Sequence, residues 1–237
     1  MTQEQTSFRK VLAKHGMDFL IMFLAITLGF FVDNFRDRMD ANSTAVEMAG
    51  DLSEDIAEDT VVIHQMLENA YVKGTKLDSL YVLLGDSVAD DSLLYCYSAY
   101  VNRRLLFERN GTTFSLLVST GDLGYFSKEA ATAATDYDLD CKAIMDFLGQ
   151  ERSLLNSKVY PLQEQMFDIV NFHAYFDSLP FPAKPVVHNR TPQNILVYRN
   201  YVSELQLLNV YIIERYQYLL KSASETRAIL NKEYGTD

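Results

Sequence analysis

Four histidines, two cysteines and several carboxylate clusters are the residues of this chain best suited to chemistry, and their spacing assembles little of it. His15, His64, His173 and His188 form neither H-x-x-x-H nor H-E-x-x-H, the spacings that put two imidazoles on one helix face around zinc. Cys96 and Cys141 lie far apart and have no C-x-x-C partner. In an exported domain they could form one disulfide; as residues of apolar helical patterns they are expected rather to stay two buried free thiols. Asp51, Glu54, Asp55, Glu58 and Asp59 crowd one segment, where they could attract divalent cations or simply face solvent. Asp136, Asp138 and Asp140 alternate as in a calcium loop, without its glycine and terminal glutamate. There is no phosphate-binding glycine loop and no G-x-S-x-G. Ser119, Thr120, Gly121 and Asp122 end one apolar segment and start another. They read as a tight helix corner in which Thr120 or Asp122 bonds exposed backbone, or as a ligand-binding corner. The expectation is a chain without catalytic residues, metal ligands or cofactor.

The element that positions everything else is an apolar run at 19–32, FLIMFLAITLGFFV, with Asp18 before it and Asp33 after it. Fourteen helical residues cover roughly 21 Å, whereas a bilayer core is about 30 Å thick. Counting 17–35 recovers about a full span, with the acidic residues at the interfaces. A cleaved signal peptide fits the basic leader but not the exit, where Val32-Asp33-Asn34-Phe35-Arg36 has no small-x-small site. A buried soluble helix fits poorly, because the run carries no charge and no polar face. An uncleaved anchor fits best. One face of that anchor carries Asp18, Met22, Ala25, Gly29 and Asp33, spaced by three and four. Ala25-x-x-x-Gly29 lets a second helix approach closely, which makes this stripe the candidate association face. The plainer reading is that the two aspartates mark the water boundaries.

Arg9, Lys10 and Lys14 precede the run, while Arg36 and Arg38 follow it among Asp33, Asp37 and Asp40. The basic excess favours a cytoplasmic N-terminus and an exported C-terminal domain. The chain has 32 acidic and 21 basic residues, a formal net charge of -11. That balance argues against nucleic acid, which needs clustered cations, and against broad contact with anionic headgroups.

Beyond the anchor the patterning is helical. Val46, Ala49, Leu52 or Ser53, Ile56, Thr60, Ile63, Leu67 and Ala70 recur at three and four, so the anchor is expected to run on into a stalk over 36–72. The heptad spacing permits a coiled-coil contact or packing within the same chain. Gly74 is expected to break this helix, with a short one following to near Gly85. Further helices are predicted over 90–107, 114–123 with Thr112 as cap, 128–156 and 158–176. The four-proline stretch 179–193 reads as a loop, and Thr191-Pro192 as the cap and first turn of a last helix over 194–230. The predicted organisation is a tail at 1–16, an anchor at 17–35, the stalk, a helical bundle over 73–178, the loop, and a C-terminal helix at 194–234 packed on the bundle. The fold class is all-α, one transmembrane helix continuing into a long amphipathic helix and then an antiparallel bundle.

Two stretches together carry a family resemblance. One is Gly16-x-Asp18, the apolar run, and Phe31-x-Asp33-Asn34-x-Arg36; the other is Thr113-x-x-x-Leu117-x-Ser119-x-Gly121-Asp122-Leu123 followed by Phe126. Over residues 15–130 the chain resembles a family of Bacteroidetes single-anchor membrane proteins classed as a domain of unknown function. Asp18 stands for that family's usual Glu, Asp33-Asn34 for Asn-Asn, and Phe35 for Trp. The resemblance implies a bacterial envelope protein with one anchor in the inner membrane, and it brings no catalytic residues. The functional expectation is a non-enzymatic scaffold or accessory subunit. It would contact membrane lipid and associate with itself or with another envelope membrane protein, and not with nucleic acid. An anchored sensory or small-ligand-binding domain and an oligomeric channel component are the alternatives.

Overall fold

The computed structural model describes residues 3–87, 89–103, 105–169, 172 and 186–236, with side chains from residue 19 onward. Among these residues the chain is helical. Its only β pairing is an isolated antiparallel bridge between Phe167 and Val187. The elements are α1 (Gln3–Leu83), α2 (Asp91–Val101), α3 (Thr112–Thr120), a 3-10 turn (Asp122–Tyr125), α4 (Lys128–Leu154), a π turn (Leu155–Val159), α5 (Tyr160–Met166) and α6 (Pro192–Tyr234).

Three helices make the core, and each buries residues spaced alternately by three and four. On α1 the stripe includes Ala45, Ala49, Leu52, Ile56, Asp59, Ile63, Ala70, Lys73, Leu77 and Leu80. On α4 it is Ala130, Ala134, Tyr137, Cys141, Ile144, Leu148 and Glu151. On α6 it is Tyr198, Val202, Leu205, Asn209, Ile212, Tyr216, Leu219, Ala223, Thr226 and Leu230. This period keeps a helix's apolar seam facing its neighbours over many turns, so the heptad pattern is satisfied inside the chain. Helix α6 runs antiparallel to both partners: Arg227 meets Ser53 at one end, while Gln206 meets Asp78 near the other. Helices α1 and α4 are parallel. Tyr137 donates to Asp59 and Lys73 donates to Glu151, and both pairs are 78 residues apart in sequence.

Parallel neighbours need a return connection, and residues 84–127 supply it. Asp90 caps α2 by accepting from the N–H groups of Ser92 and Leu93. The helix ends at Val101, short of the predicted 107, because the next residues are held along α1. Lys73 Nζ donates to the Arg103 carbonyl at 2.9 Å, and Arg103 Nη2 donates to Asn69 at 2.6 Å. Helix α3 starts at Thr112, which is its first residue and not its cap. Helix α4 gives way at Leu155 to one widened π turn just before Pro161, whose missing N–H cannot close an α-helical bond. The helix predicted to 176 ends at Met166, with Phe167 extended at φ −129°, ψ 149°; positions 173–176 lie outside the described residues. So does most of the proline-rich loop, but its exit is as predicted: the Thr191 hydroxyl accepts from the Asn194 N–H.

Gly74 does not break α1. An added Cβ there would sit 2.9 Å from Asn209 Nδ2, which donates to the Ala70 carbonyl. The glycine makes room for a close α6 contact, and the flanking seam residues carry the helix through it. Lys73, Glu151 and Asn209 form one polar level across all three helices. The apolar cluster containing Ala45, Cys141 and Leu230 lies on one side, and the cluster containing Leu77, Tyr95 and Val202 on the other. The Lys73 and Glu151 side chains are 0% and 3% exposed, with Nζ and Oε1 2.8 Å apart. Removing one charge strands the other where water cannot reach it. Lys73→Met should therefore cost about 3–5 kcal/mol, and Lys73→Met with Glu151→Met should return to wild-type stability or above. Urea unfolding followed by circular dichroism distinguishes these cases; a harmless single substitution would contradict a dry ion pair.

Candidate functional site

The surface most unlike that of a water-soluble protein is the start of α1. Phe19, Leu20, Ile21, Met22, Phe23, Leu24, Ile26, Leu28, Phe30, Phe31 and Val32 are all exposed large apolar side chains. This is one helix long and apolar enough to cross a membrane, with none of its apolar window buried by the rest of the chain. No Pro or Gly lies between the end of this run at Val32 and Ala45, where α1 enters the core. Membrane-compatible segment and bundle are thus one uninterrupted helix of 81 residues, spanning roughly 120 Å at about 1.5 Å per residue. Of the candidate association face, Met22, Ala25, Gly29 and Asp33 are exposed; the Asp18 side chain lies outside the described residues. A Cβ built on Gly29 meets nothing within 4 Å.

The helix corner is a capped turn. Gly121 adopts φ 83°, a left-handed conformation that ends α3 at little cost for a residue without Cβ. The Thr120 hydroxyl lies 2.9 Å from the Leu116 carbonyl and 2.6 Å from Asp122 Oδ2, and the Ser119 hydroxyl donates to the Leu116 carbonyl. Ser119, Thr120 and Gly121 are exposed and Asp122 is half-buried. The Ser119 and Thr120 hydroxyls are thus engaged with the chain's own backbone and with Asp122.

The acidic segment of α1 behaves differently from the solvated face expected. Asp51 and Glu54 are exposed, but Asp59 accepts from the Asn110 N–H at 2.7 Å and from the Tyr137 hydroxyl at 2.8 Å. Asp55 accepts from the Thr113 N–H, and Glu58 accepts from Asn110 Nδ2. Beside them Arg109 pairs with Asp138, which also binds Lys142 at 2.7 Å. The guanidinium lies 5.1 Å from the Phe114 ring centroid and 5.7 Å from that of Tyr137. These carboxylates hold the return segment and the first turn of α3, whose N–H groups have no helical acceptors of their own.

The electrostatics follow from burial. Desolvation raises the Asp59 carboxyl above 3.8, although the Asn110 N–H, the Tyr137 hydroxyl and Arg109 all favour its charge. Desolvation also pushes the Cys141 thiol up to about 12, which keeps it protonated and unreactive. Cys96 and Cys141 are both free thiols, Cys141 buried and Cys96 partly exposed on α2. Among the described residues no three His, Cys, Asp or Glu side chains are placed to share an ion. His64 and His188 are exposed; the side chains of His15 and His173 lie outside the described residues. An open groove of about 840 Å³ between α4 and α6 is lined by Asp136, Leu139, Tyr218, Lys221 and Glu225 among others, a mixed-charge surface.

The residues missed from sequence are Lys73, Arg109, Glu151 and Asn209, together with the role of Asp59. The signal was present: Asp59 and Lys73 sit on the α1 seam, Tyr137 and Glu151 at the same separation on the α4 seam. No family model, curated protein or solved structure matches this chain.

Because the folded chain binds a proton at Asp59 more tightly than the unfolded chain does, this carboxyl costs stability at neutral pH. That cost shrinks as pH falls through the raised folded value and is gone below the unfolded one. Wild type should therefore gain stability relative to Asp59→Asn as the pH falls from about 7 toward about 4. Paired urea titrations across that range test it; a constant difference, or one of opposite slope, contradicts it.

Proposed function

We propose that this protein is a non-enzymatic, membrane-anchored helical scaffold or accessory subunit of an assembly in a bacterial envelope. The observation that carries the proposal is the exposed apolar segment at 19–32, continuous with a helix that forms the core of the bundle. Lipid covers the apolar side chains, and the anchor is also the surface through which the chain meets another copy or a membrane partner. The basic residues before the run orient the N-terminus to the cytoplasm and the bundle to the periplasm of an inner membrane. A scaffold needs rigid transmission between its membrane and soluble parts, and an uninterrupted helix with a register-locked core supplies it. The carboxylate cluster around Asp59 supports the non-enzymatic reading, since Asp55 and Asp59 accept from backbone N–H groups and from the Tyr137 hydroxyl.

The reading is tested by placing a charge at the middle of the run. Arg at the centre of a membrane helix costs about 2.5–3.5 kcal/mol of insertion free energy. Leu24 is exposed and touches no part of the core, so Leu24→Arg leaves the bundle intact. Wild type should stay with the membrane through alkaline carbonate extraction, and Leu24→Arg should shift substantially to the supernatant. Release of the wild-type chain would refute the anchor.

A further inference from the structure

The heptad spacing that governs the three core helices also appears on α1 before the bundle begins, on a face left exposed among the described residues. Between Asp33 and Glu47 the chain is predominantly polar, and its three exposed large apolar side chains are Phe35, Met39 and Val46, at 66%, 59% and 42% exposure. With Asn42 they step by four, three and four. Continued backward, the same spacing passes through Val32, Leu28, Ala25 and Ile21 inside the anchor. Forward, it stops at Val46: the next seam position, Ala49, is fully buried in the chain's own core.

We propose that residues 21–46 of α1 form a parallel coiled coil with the same segment of a second copy of this chain. The inference rests on the anchored reading and names the partner that reading leaves open. Copies inserted by the same charge rule point the same way, so the matching stripes meet in register. Charge placement fits a self-pairing seam. Asp33, Asp37 and Asp40 fall on the outer positions, and Arg36 is engaged with Asp40 of its own helix at 3.7 Å. The flanking residues that face each other across a parallel pair are Phe31 with Arg36 and Arg38 with Ser43, so no like charges are opposed. Asn42, exposed in the single chain, is the one polar residue of the seam and faces its own counterpart, so the pair does not bury it against hydrocarbon. Of the small-residue stripe, Ala25 belongs to this seam and Gly29 flanks it.

Single-cysteine reporters in the full-length chain, in its membrane and under mild oxidation, test the seam. Met39→Cys and Asn42→Cys lie on it, Asp37→Cys lies opposite, and Gly29→Cys flanks it on the Met22–Gly29 side; the unsubstituted chain gives the background from Cys96 and Cys141. The two seam reporters should form a covalent dimer about tenfold faster than Asp37→Cys. Met39→Lys, at a position exposed in the single chain, should reduce the detergent-extracted dimer to a monomer without unfolding the bundle. Cross-linking at Gly29→Cys with silent seam reporters would overturn the seam while preserving self-association. Silence at all four positions in membrane-bound protein would overturn self-pairing and leave a foreign partner. Recovery of the chain in the soluble fraction would refute the anchored reading itself.

Discussion

The structure depends on α1 and α4 lying parallel in one fixed register. Apolar seams alone leave that register weakly determined, because a heptad stripe can slide by one repeat and still find apolar partners. Two polar ties prevent the slide. Tyr137 reaches Asp59 and Glu151 reaches Lys73, each pair offset by the same number of residues. A slipped alignment would bury each of these groups against hydrocarbon, at the cost of an unpaired charge or hydroxyl. The ties also serve the return segment that parallel helices require. Asp59 binds the Asn110 N–H and Lys73 binds the Arg103 carbonyl, so the residues fixing the register also hold the connection.

The same helix leaves the bundle and becomes the apolar segment. Its core face begins at Ala45, and the exposed stripe through Phe35, Met39 and Val46 ends there, turned to a neighbouring side of the helix. One side of α1 is thus committed to its own chain and another is free along the stretch nearest the anchor. The described helix runs without a break from the apolar segment to the polar level at Lys73, Glu151 and Asn209, through Gly50, so the two are mechanically continuous. That mechanical continuity is what supports the proposed scaffold role.

Much of this architecture was legible in the sequence, since amphipathic period and turn residues are local signals. The long first helix, the Thr191 cap and the Gly121 corner all follow from side-chain chemistry within a few residues. The errors share a cause. Gly74 reads as a breaker by propensity, yet tertiary packing overrides that preference, because Asn209 needs the space its side chain would fill. Asp55, Glu58 and Asp59 read as a solvated face because their partners lie some fifty residues or more away, at the start of α3 and the irregular segment before it. Polar residues on an apolar seam were the available clue, and pairing them required knowing that α1 and α4 run parallel. Of the candidate sites, the apolar run was plain from composition, and the corner from its glycine.

The most direct measurement is the mass of the intact protein, gently extracted from its native membrane, with every accompanying chain identified. We expect a discrete complex containing at least two copies of this 27.1 kDa chain. A single copy with no other protein, or recovery without the membrane, would contradict an anchored scaffold that assembles through its first helix.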